Sequence, residues 1–228
     1  MTEQQFESST QAAQALAAAV AENLRQGIAA RGTASLVTWS EPAGGAFLKA
    51  LRAQVLDWSK VQITLSDERW VAPGTQGSRE TLLRKRLFQG DVLDARLISL
   101  WTGDAKPIQA VVEATERIAR MPRPFDAVVL GLGDDGHVAG LYAGMPALDA
   151  MLNPTWALNV ATSIAPKAPV EGLTLTLHAL SDTRNLYLSV AGPIASRVYA
   201  ETRAGAMDYP VAALLRQRRV DLSVVIGG

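Results

Sequence analysis

FDAVVLGLGDDGH, residues Phe125 to His137, joins an apolar run to a glycine-rich acidic turn that ends in histidine. A short run rich in valine and leucine is typical of a strand that is buried on both faces of a parallel sheet. Gly131 and Gly133 then allow a tight turn in which the backbone closely approaches a ligand. The stretch therefore predicts a buried strand over Phe125–Leu130 whose following turn places the histidine in a functional site.

Strand and helix patterns alternate along the rest of the chain. Apolar residues recur every four positions from Leu16 to Ile28, which predicts a helix over Ser9–Ala30 that ends at Gly32. Further strands are predicted at Ala34–Trp39, Val61–Leu65, Leu173–Leu177 and Leu186–Val190, and further helices at Ala46–Leu56, Ser78–Phe88, Ile108–Ala119 and Ile194–Thr202. Pro154–Pro169 is predicted to be a loop. The alternation predicts an α/β fold in one domain over residues 1–228, a three-layer sandwich with a mostly parallel, Rossmann-like sheet.

The composition narrows the functional classes. The chain has 228 residues, of which 48% are hydrophobic, and its 22 basic and 22 acidic residues give a net charge of zero. This balance argues against a dominant surface for nucleic acid or anionic membranes. The sequence has no cysteine, which excludes disulfides, thiolate nucleophiles and zinc–cysteine sites. It also has no positively charged signal start and no run near the ~18 apolar residues that cross a bilayer. We therefore expect a soluble cytoplasmic protein without nucleic-acid or membrane partners.

The turn after Phe125–Leu130 is the first candidate site. Ligands of open α/β sheets bind beyond the carboxyl ends of the strands, and an imidazole with a pKa of about 6.5 suits a general base near neutral pH. From the spacing alone, a catalytic role for His137 and a structural role in the turn are equally open. No second histidine stands at a metal-ligand spacing, so no metal site is expected. The acidic pair Asp134-Asp135 also argues against a dinucleotide site, because it would face a pyrophosphate.

A second polar group follows the predicted strand Val61–Leu65. Arg69 is suited to clamp an anion and Asp67 to orient a partner, although a surface ion pair worth ~0–1 kcal/mol is the slightly favoured alternative. Ser78 follows a glycine-containing loop and is predicted to be the N-cap of the next helix. His178, beside a later strand, is predicted to be structural.

Three motifs together resemble those of the 6-phosphogluconolactonase family. DERWVAP at residues 67–73, followed by Ser78-Arg79, is similar to the family's D-E-R-x-V-P and S-N. LGLGDDGHVAGLY at 130–142 is similar to L-G-x-G-x-D-G-H-x-A-S-L-F, and GLTLTL at 172–177 is similar to R-I-T-L-T-L. The motifs occur in the family's order across nearly the whole chain, so together they are far more specific than any one alone.

The resemblance implies hydrolysis of 6-phospho-D-glucono-1,5-lactone to 6-phosphogluconate in the pentose phosphate pathway, without a metal or an organic cofactor. It implies that His137 is the base that activates a water, while Asp135 holds the histidine or the turn in place. Backbone amides around Gly131 and Gly133 would stabilise the developing oxyanion. The expected partner is the small-molecule sugar-phosphate lactone, and the expected assembly is a monomer or a small homo-oligomer.

The resemblance also predicts a set of residues that bind substrate. They are Ser40, Asp67, Arg69, Ser78, Arg79, Gly131 and Gly133. The chain departs from the family pattern where the substrate's phosphate is expected: Glu41 lies near the expected glycine pair, Gly172 replaces an arginine and Ala195 replaces a lysine. Arg79 itself stands in place of an asparagine.

Two missing cations would weaken phosphate binding unless other residues replace them. Candidate replacements are Arg69, Arg79, Arg197 and Lys167.

Three other functions stay open. A glucosamine-6-phosphate deaminase or isomerase has a comparable D-G-H turn, although the D-E-R and L-T-L-T-L stretches fit the lactonase pattern better. A non-catalytic sugar-phosphate binding protein is favoured by Glu41, Gly172 and Ala195. The third alternative is a lactonase for an unphosphorylated sugar lactone.

Overall fold

The computed structural model describes residues 1–40, 44–166 and 171–228, in which strands and helices alternate. Glu41 and Lys167 lie outside these described residues. The strands are β1 (Thr2–Phe6), β2 (Ala34–Thr38), β3 (Val61–Leu65), β4 (Asp67–Arg69), β5 (Arg96–Ile98), β6 (Ala127–Gly131), β7 (Val160–Ile164), β8 (Glu171–Leu175), β9 (Leu186–Ala191) and β10 (Leu222–Gly227). The helices are α1 (Ser9–Arg31), α2 (Gly45–Arg52), α3 (Arg79–Arg86), α4 (Pro107–Ala119), α5 (Leu148–Met151), α6 (Leu177–Leu180), α7 (Pro193–Arg203) and α8 (Val211–Arg216).

Seven strands form the main sheet in the order β1-β10-β9-β6-β2-β3-β5, and every neighbouring pair is parallel. β6 lies in the middle, where Val128 pairs with Leu186 of β9 and with Val37 of β2. Its residues from Ala127 to Leu130 are fully buried, as an apolar run inside a parallel sheet requires. The mostly parallel α/β sheet flanked by helices confirms the predicted fold class.

Helix α1 has the start and the end that its sequence predicts. The Ser8 side chain accepts a hydrogen bond from the Gln11 N–H at the first turn. The last turn closes at Gly32, whose φ of 75° is left-handed and whose N–H donates to the Ile28 carbonyl oxygen. Leu16, on the apolar face, is at most 1% exposed.

A second sheet, of three antiparallel strands in the order β4-β8-β7, lies outside the main one. The prediction that Leu173–Leu177 joins the parallel sheet is therefore wrong. The strand is β8, and Thr176 already caps α6 by accepting a hydrogen bond from the Ala179 N–H. The loop predicted over Pro154–Pro169 is wrong as well, because it contains β7, whose mixed sequence VATSI lacks an apolar run and becomes a strand by pairing with β8.

No helix among the residues that the structure describes is both long enough and apolar enough to cross a membrane.

Candidate active site

The turn after β6 lies at the carboxyl edge of the main sheet. It is closed by two backbone hydrogen bonds, from the Gly133 N–H to the His137 carbonyl oxygen at 3.0 Å and from the Gly136 N–H to the Gly133 carbonyl oxygen at 2.9 Å. Gly136 has a φ of 79°, a left-handed conformation in which any residue with a side chain would be strained. This turn brings His137 back over residue 133, so that the imidazole stands at the end of the central strand.

Asp135 holds the imidazole of His137. Its Oδ1 contacts Nδ1 of the ring and also accepts the backbone N–H of His137 at 3.2 Å. The hydrogen bond from the ring lowers the pKa of Asp135, so the carboxylate is charged at neutral pH. Because the carboxylate accepts from Nδ1, the ring carries its proton there, and Nε2 is the basic atom. The histidine side chain is 14% exposed, which leaves it accessible to a small ligand.

The glycines of this turn leave room for neighbouring rings. A Cβ on Gly133 would overlap the imidazole and lie 2.9 Å from Cγ of His137, and a Cβ on Gly131 would lie 2.9 Å from Cδ1 of Trp39. The Gly133 N–H already donates to the His137 carbonyl oxygen, so in this conformation it has a partner inside the turn. The roles of the Gly131 and Gly133 amides as oxyanion donors stay predictions.

Arg79, Tyr142 and Asp67 form a buried network beside the histidine. Nη2 of Arg79 donates to the Tyr142 hydroxyl at 3.1 Å, and the Tyr142 ring lies 4.6 Å from the ring of His137 between centroids. Nε of Arg79 lies 2.8 Å from Oδ2 of Asp67, and both side chains are at least 94% buried. The surface ion pair considered for Asp67 and Arg69 is therefore wrong, because Asp67 is buried and pairs with Arg79.

Arg69 lies on β4 two residues after Asp67, so their side chains share one face of the strand. That face is turned toward the segment after the histidine, since Cβ of Asp67 lies 3.2 Å from the Cβ position of Gly140. Nε of Arg69 is buried and has no hydrogen-bond partner among the described residues. A buried guanidinium N–H without a partner is unusual in a folded protein, and binding of substrate by Arg69 stays a prediction.

Glu68 points to the opposite face of β4 and is 2% exposed. Its Oε1 accepts the backbone N–H groups of Arg69 at 2.8 Å and Arg79 at 2.7 Å. Its Oε2 accepts the Glu80 N–H at 2.7 Å and the Ser78 hydroxyl at 3.3 Å. Burial raises the pKa of Glu68 to about 7, although the backbone N–H donors act in the opposite direction.

The two serines predicted to bind substrate make hydrogen bonds within the protein. The Ser40 hydroxyl donates to the Arg79 carbonyl oxygen at 2.8 Å, and Ser78 accepts the Thr81 N–H at 3.1 Å, which confirms it as the N-cap of α3. Both side chains are buried. They fix the segments that carry Arg79, whereas direct contact with substrate stays a prediction.

Comparisons with known proteins define the family. The family described as glucosamine-6-phosphate isomerases/6-phosphogluconolactonase matches residues 7–224 of the chain. The chain belongs to this family. It is 36% identical to a 6-phosphogluconolactonase of Rhizobium meliloti over 96% of this chain and 95% of that protein, and 35% identical to one of Pseudomonas aeruginosa over 92% and 89%. A crystal structure of a 6-phosphogluconolactonase from Shewanella baltica superposes with a TM-score of 0.91 at 31% identity, covering 98% of this chain and 97% of that one.

The departures from the family pattern have structural counterparts. A Cβ on Gly172 would overlap the carbonyl oxygen of Glu68 and lie 3.2 Å from Cα of Arg69, so this backbone has no room for the family's arginine. Ala195 is 1% exposed and packs into the core, where a lysine would bury its charge. Arg197 is 70% exposed and lies 3.8 Å from Glu201 on its own helix, and its role as a replacement cation stays a prediction.

Two residues of this family site were missed by the sequence analysis, namely Tyr142 and Glu68. Tyr142 packs near His137 and accepts a hydrogen bond from Arg79 in a distant segment of the chain, and no local spacing predicts that second contact. Glu68 belongs to the D-E-R motif, which does not by itself distinguish its role from those of its neighbours. The alternation of side chains along a strand separates it from Asp67 and Arg69, and that signal was available.

The remaining predictions concern metals and the second histidine. Among the described residues, no three His, Asp or Glu side chains come close enough together to hold a metal ion. Nδ1 of His178 lies 3.0 Å from the Pro154 carbonyl oxygen and 2.9 Å from Nη1 of Arg219, and these contacts agree with the predicted structural role.

Proposed function

We propose that this chain hydrolyses 6-phospho-D-glucono-1,5-lactone to 6-phosphogluconate, a step of the pentose phosphate pathway. The observation that carries the proposal is the His137 imidazole, which a charged Asp135 orients at the carboxyl end of the central strand. Membership of the family and the names of relatives near 36% identity support the choice of substrate. The proposed partner is therefore a small sugar-phosphate lactone, and the proposed location is the cytoplasm.

In the proposed reaction, Nε2 of His137 takes a proton from a water as the water oxygen attacks the lactone carbonyl carbon. The Asp135 carboxylate stabilises the imidazolium that forms, because it accepts the hydrogen bond from Nδ1. The tetrahedral intermediate then breaks the bond between the carbonyl carbon and the ring oxygen. The imidazolium returns its proton to that oxygen, which becomes a hydroxyl group of the product, and the reaction uses no metal or organic cofactor.

Arg69 is the proposed anion clamp for the substrate's phosphate. Its Nε is buried without a hydrogen-bond partner among the described residues, and a guanidinium suits a phosphate oxygen better than an ammonium does. Arg79 is held between Asp67 and Tyr142, and we propose that it adds positive charge near the substrate while it fixes Tyr142 against the histidine. The Gly131 amide is the proposed donor to the developing oxyanion.

The test compares hydrolysis of 6-phosphogluconolactone and of glucono-1,5-lactone, each corrected for spontaneous opening. His137→Ala is expected to lower kcat for the phosphorylated lactone by ~10²- to 10⁴-fold, the usual contribution of a general base. His178→Ala is the matched control, since His178 is the only other histidine in the sequence, and it is expected to retain the wild-type rate. Normal hydrolysis by His137→Ala would remove the base assignment.

The same assays separate the alternative functions. Turnover of glucono-1,5-lactone alone identifies an enzyme for unphosphorylated lactones. Turnover of neither lactone, together with thermal stabilisation by 6-phosphogluconate, identifies a sugar-phosphate binding protein. Release of ammonia from glucosamine 6-phosphate identifies a deaminase.

A further inference from the structure

Glu68 takes no part in the proposed reaction, yet four hydrogen-bond donors surround its buried carboxyl group. Two of these donors, the Arg79 and Glu80 N–H groups, belong to the first turn of α3, where a carboxylate also complements the helix dipole. The Ser78 hydroxyl adds the N-cap residue itself. A helix cap explains these three contacts but not the fourth, which reaches the backbone of β4.

The fourth contact joins the two candidate arginines. Oε1 of Glu68 accepts the N–H of Arg69 on the strand and the N–H of Arg79 on the helix, at 2.8 and 2.7 Å. One oxygen atom therefore fixes the relative position of the two backbones from which both guanidinium groups extend. Any shift of β4 against α3 would break one of these hydrogen bonds.

The surroundings allow little movement of this junction. Gly172 of β8 pairs with Arg69, and its Cα lies so close to the Glu68 carbonyl oxygen that no Cβ fits between them. The Arg79 side chain is held at its other end by Asp67 and Tyr142. The orientation of Arg69, whose buried Nε has no partner among the described residues, thus depends on the backbone that Glu68 holds.

We propose that Glu68 is a positioning residue, which sets Arg69 and Arg79 at the spacing needed to bind the phosphate of the substrate. This inference rests on the proposed function, because it assigns the two arginines to a phosphorylated ligand. Glu68 itself contacts neither the phosphate nor the reacting atoms.

The first test replaces Glu68 with glutamine, which keeps the shape of the side chain but presents an NH₂ group to donors that need an acceptor. Glu68→Gln is expected to raise KM for 6-phosphogluconolactone by ~10-fold and to change kcat by less than ~3-fold. Ser8→Ala is the control for loss of a helix cap, because Ser8 caps α1. This variant is expected to leave KM unchanged. An unchanged KM in Glu68→Gln, or a fall in kcat alone, would overturn the proposal. If Glu68→Gln does not fold, Glu68→Asp replaces it with the same expectation.

The second test asks whether Glu68 acts through Arg69. In an Arg69→Ala background, adding Glu68→Gln is expected to raise KM by clearly less than the ~10-fold seen in wild type, because only Arg79 is then left to be positioned. A KM in the double variant that has risen by the full product of the two single-variant increases would overturn the proposal. Should wild type hydrolyse neither lactone, the proposed function fails, and calorimetric binding of 6-phosphogluconate decides this inference separately. Binding ~10-fold weaker in Glu68→Gln than in wild type supports it, whereas equal binding or none to either protein overturns it.

Discussion

Residue 133 sits under the imidazole of His137, and the turn accommodates only a hydrogen atom there. The contact explains why the turn needs glycine at a position whose N–H is already used inside the turn. Asp135 accepts a hydrogen bond from Nδ1 of the same ring, and the ring of Tyr142 lies 4.6 Å away between centroids. The orientation of the proposed base is thus set by three neighbours, of which two lie within four residues of it in sequence.

Asp135→Asn tests the orientation of the ring at this scale. An asparagine amide cannot hold an imidazolium by charge, so kcat is expected to fall by ~10- to 100-fold, less than after loss of the histidine. The side chain of Asp135 is 52% exposed, so the unfolding temperature is expected to change little. Steady-state kinetics and thermal unfolding measure the two quantities. The adjacent, exposed Asp134→Asn is the control, and equal losses in both variants would contradict a specific role for Asp135.

Glu68 predicts a pH dependence of stability. Its pKa is about 7 in the folded protein and near 4.5 when exposed, so the folded state binds more protons between these values. The stabilising contribution is complete below pH 4.5 and is lost as the pH rises through 7, by up to about 3 kcal/mol. Urea unfolding of wild type and Glu68→Gln measures this contribution. The unfolding free energy of wild type minus that of the variant is expected to be larger at pH 5 than at pH 8. An advantage that grows with pH would contradict the raised pKa.

At the scale of the secondary-structure elements, the small antiparallel sheet carries Arg69 on its strand β4. β4 is only three residues long, and its partner β8 meets it through Gly172, where the two backbones approach too closely for a side chain. The sheet therefore brings β4 beside the segment that follows His137, where Asp67 lies next to Gly140, although β4 and β6 belong to different sheets.

Gly172→Ala is expected to force β4 and β8 apart, because its Cβ would meet backbone atoms rather than a flexible side chain. Overpacking of this kind costs about 1–3 kcal/mol of unfolding free energy, and KM for the phosphorylated lactone is expected to rise with it. Urea unfolding and kinetics measure both effects. Gly45→Ala provides the comparison for stability, since its Cβ would make only an ordinary contact at 3.6 Å with Arg86. Equal stability of the two variants would contradict the crowding.

The sequence predicts the long or strongly patterned elements well and the short ones poorly. α1 has an apolar face, an N-cap and a C-terminal glycine, so its limits can be read locally. β4, β5 and β7 have no such pattern, since their pairing with distant strands determines their structure. The same division applies to the site. His137 and Asp135 are near neighbours in sequence, whereas the pairing of Asp67 with Arg79 depends on the tertiary fold.

At the scale of the whole molecule, β6 has a polar group at each end. Asp126 precedes its first residue, is 2% exposed at the side chain, accepts the Ser35 N–H at 2.9 Å and pairs with Arg31 at the end of α1. The turn with His137 follows its last residue. The carboxylate that ties α1 and β2 to the central strand therefore lies at the opposite end of β6 from the proposed base.

Asp126→Asn is expected to lower the free energy of unfolding by about 2–3 kcal/mol, because it leaves Arg31 without its buried partner. The KM and kcat of the folded enzyme are expected to stay at wild-type values, since the site lies beyond the other end of the strand. Denaturant unfolding and kinetics at a temperature where both proteins are folded measure these effects. Asp91→Asn, on an exposed carboxylate, is the control, and a loss of activity in folded Asp126→Asn would contradict the separation.

The two ends of β6 also separate the residues that affect stability from those that affect substrate choice. A selection for resistance to heat acts on residues such as Asp126, Arg31 and Ser35, where substitutions change folding. A library selected for a new lactone has its room beyond Gly131, where substitutions act on the bound ligand. Because the length of β6 separates the two regions, substitutions that raise stability and substitutions that change the substrate are expected to have additive effects when they are combined in one protein.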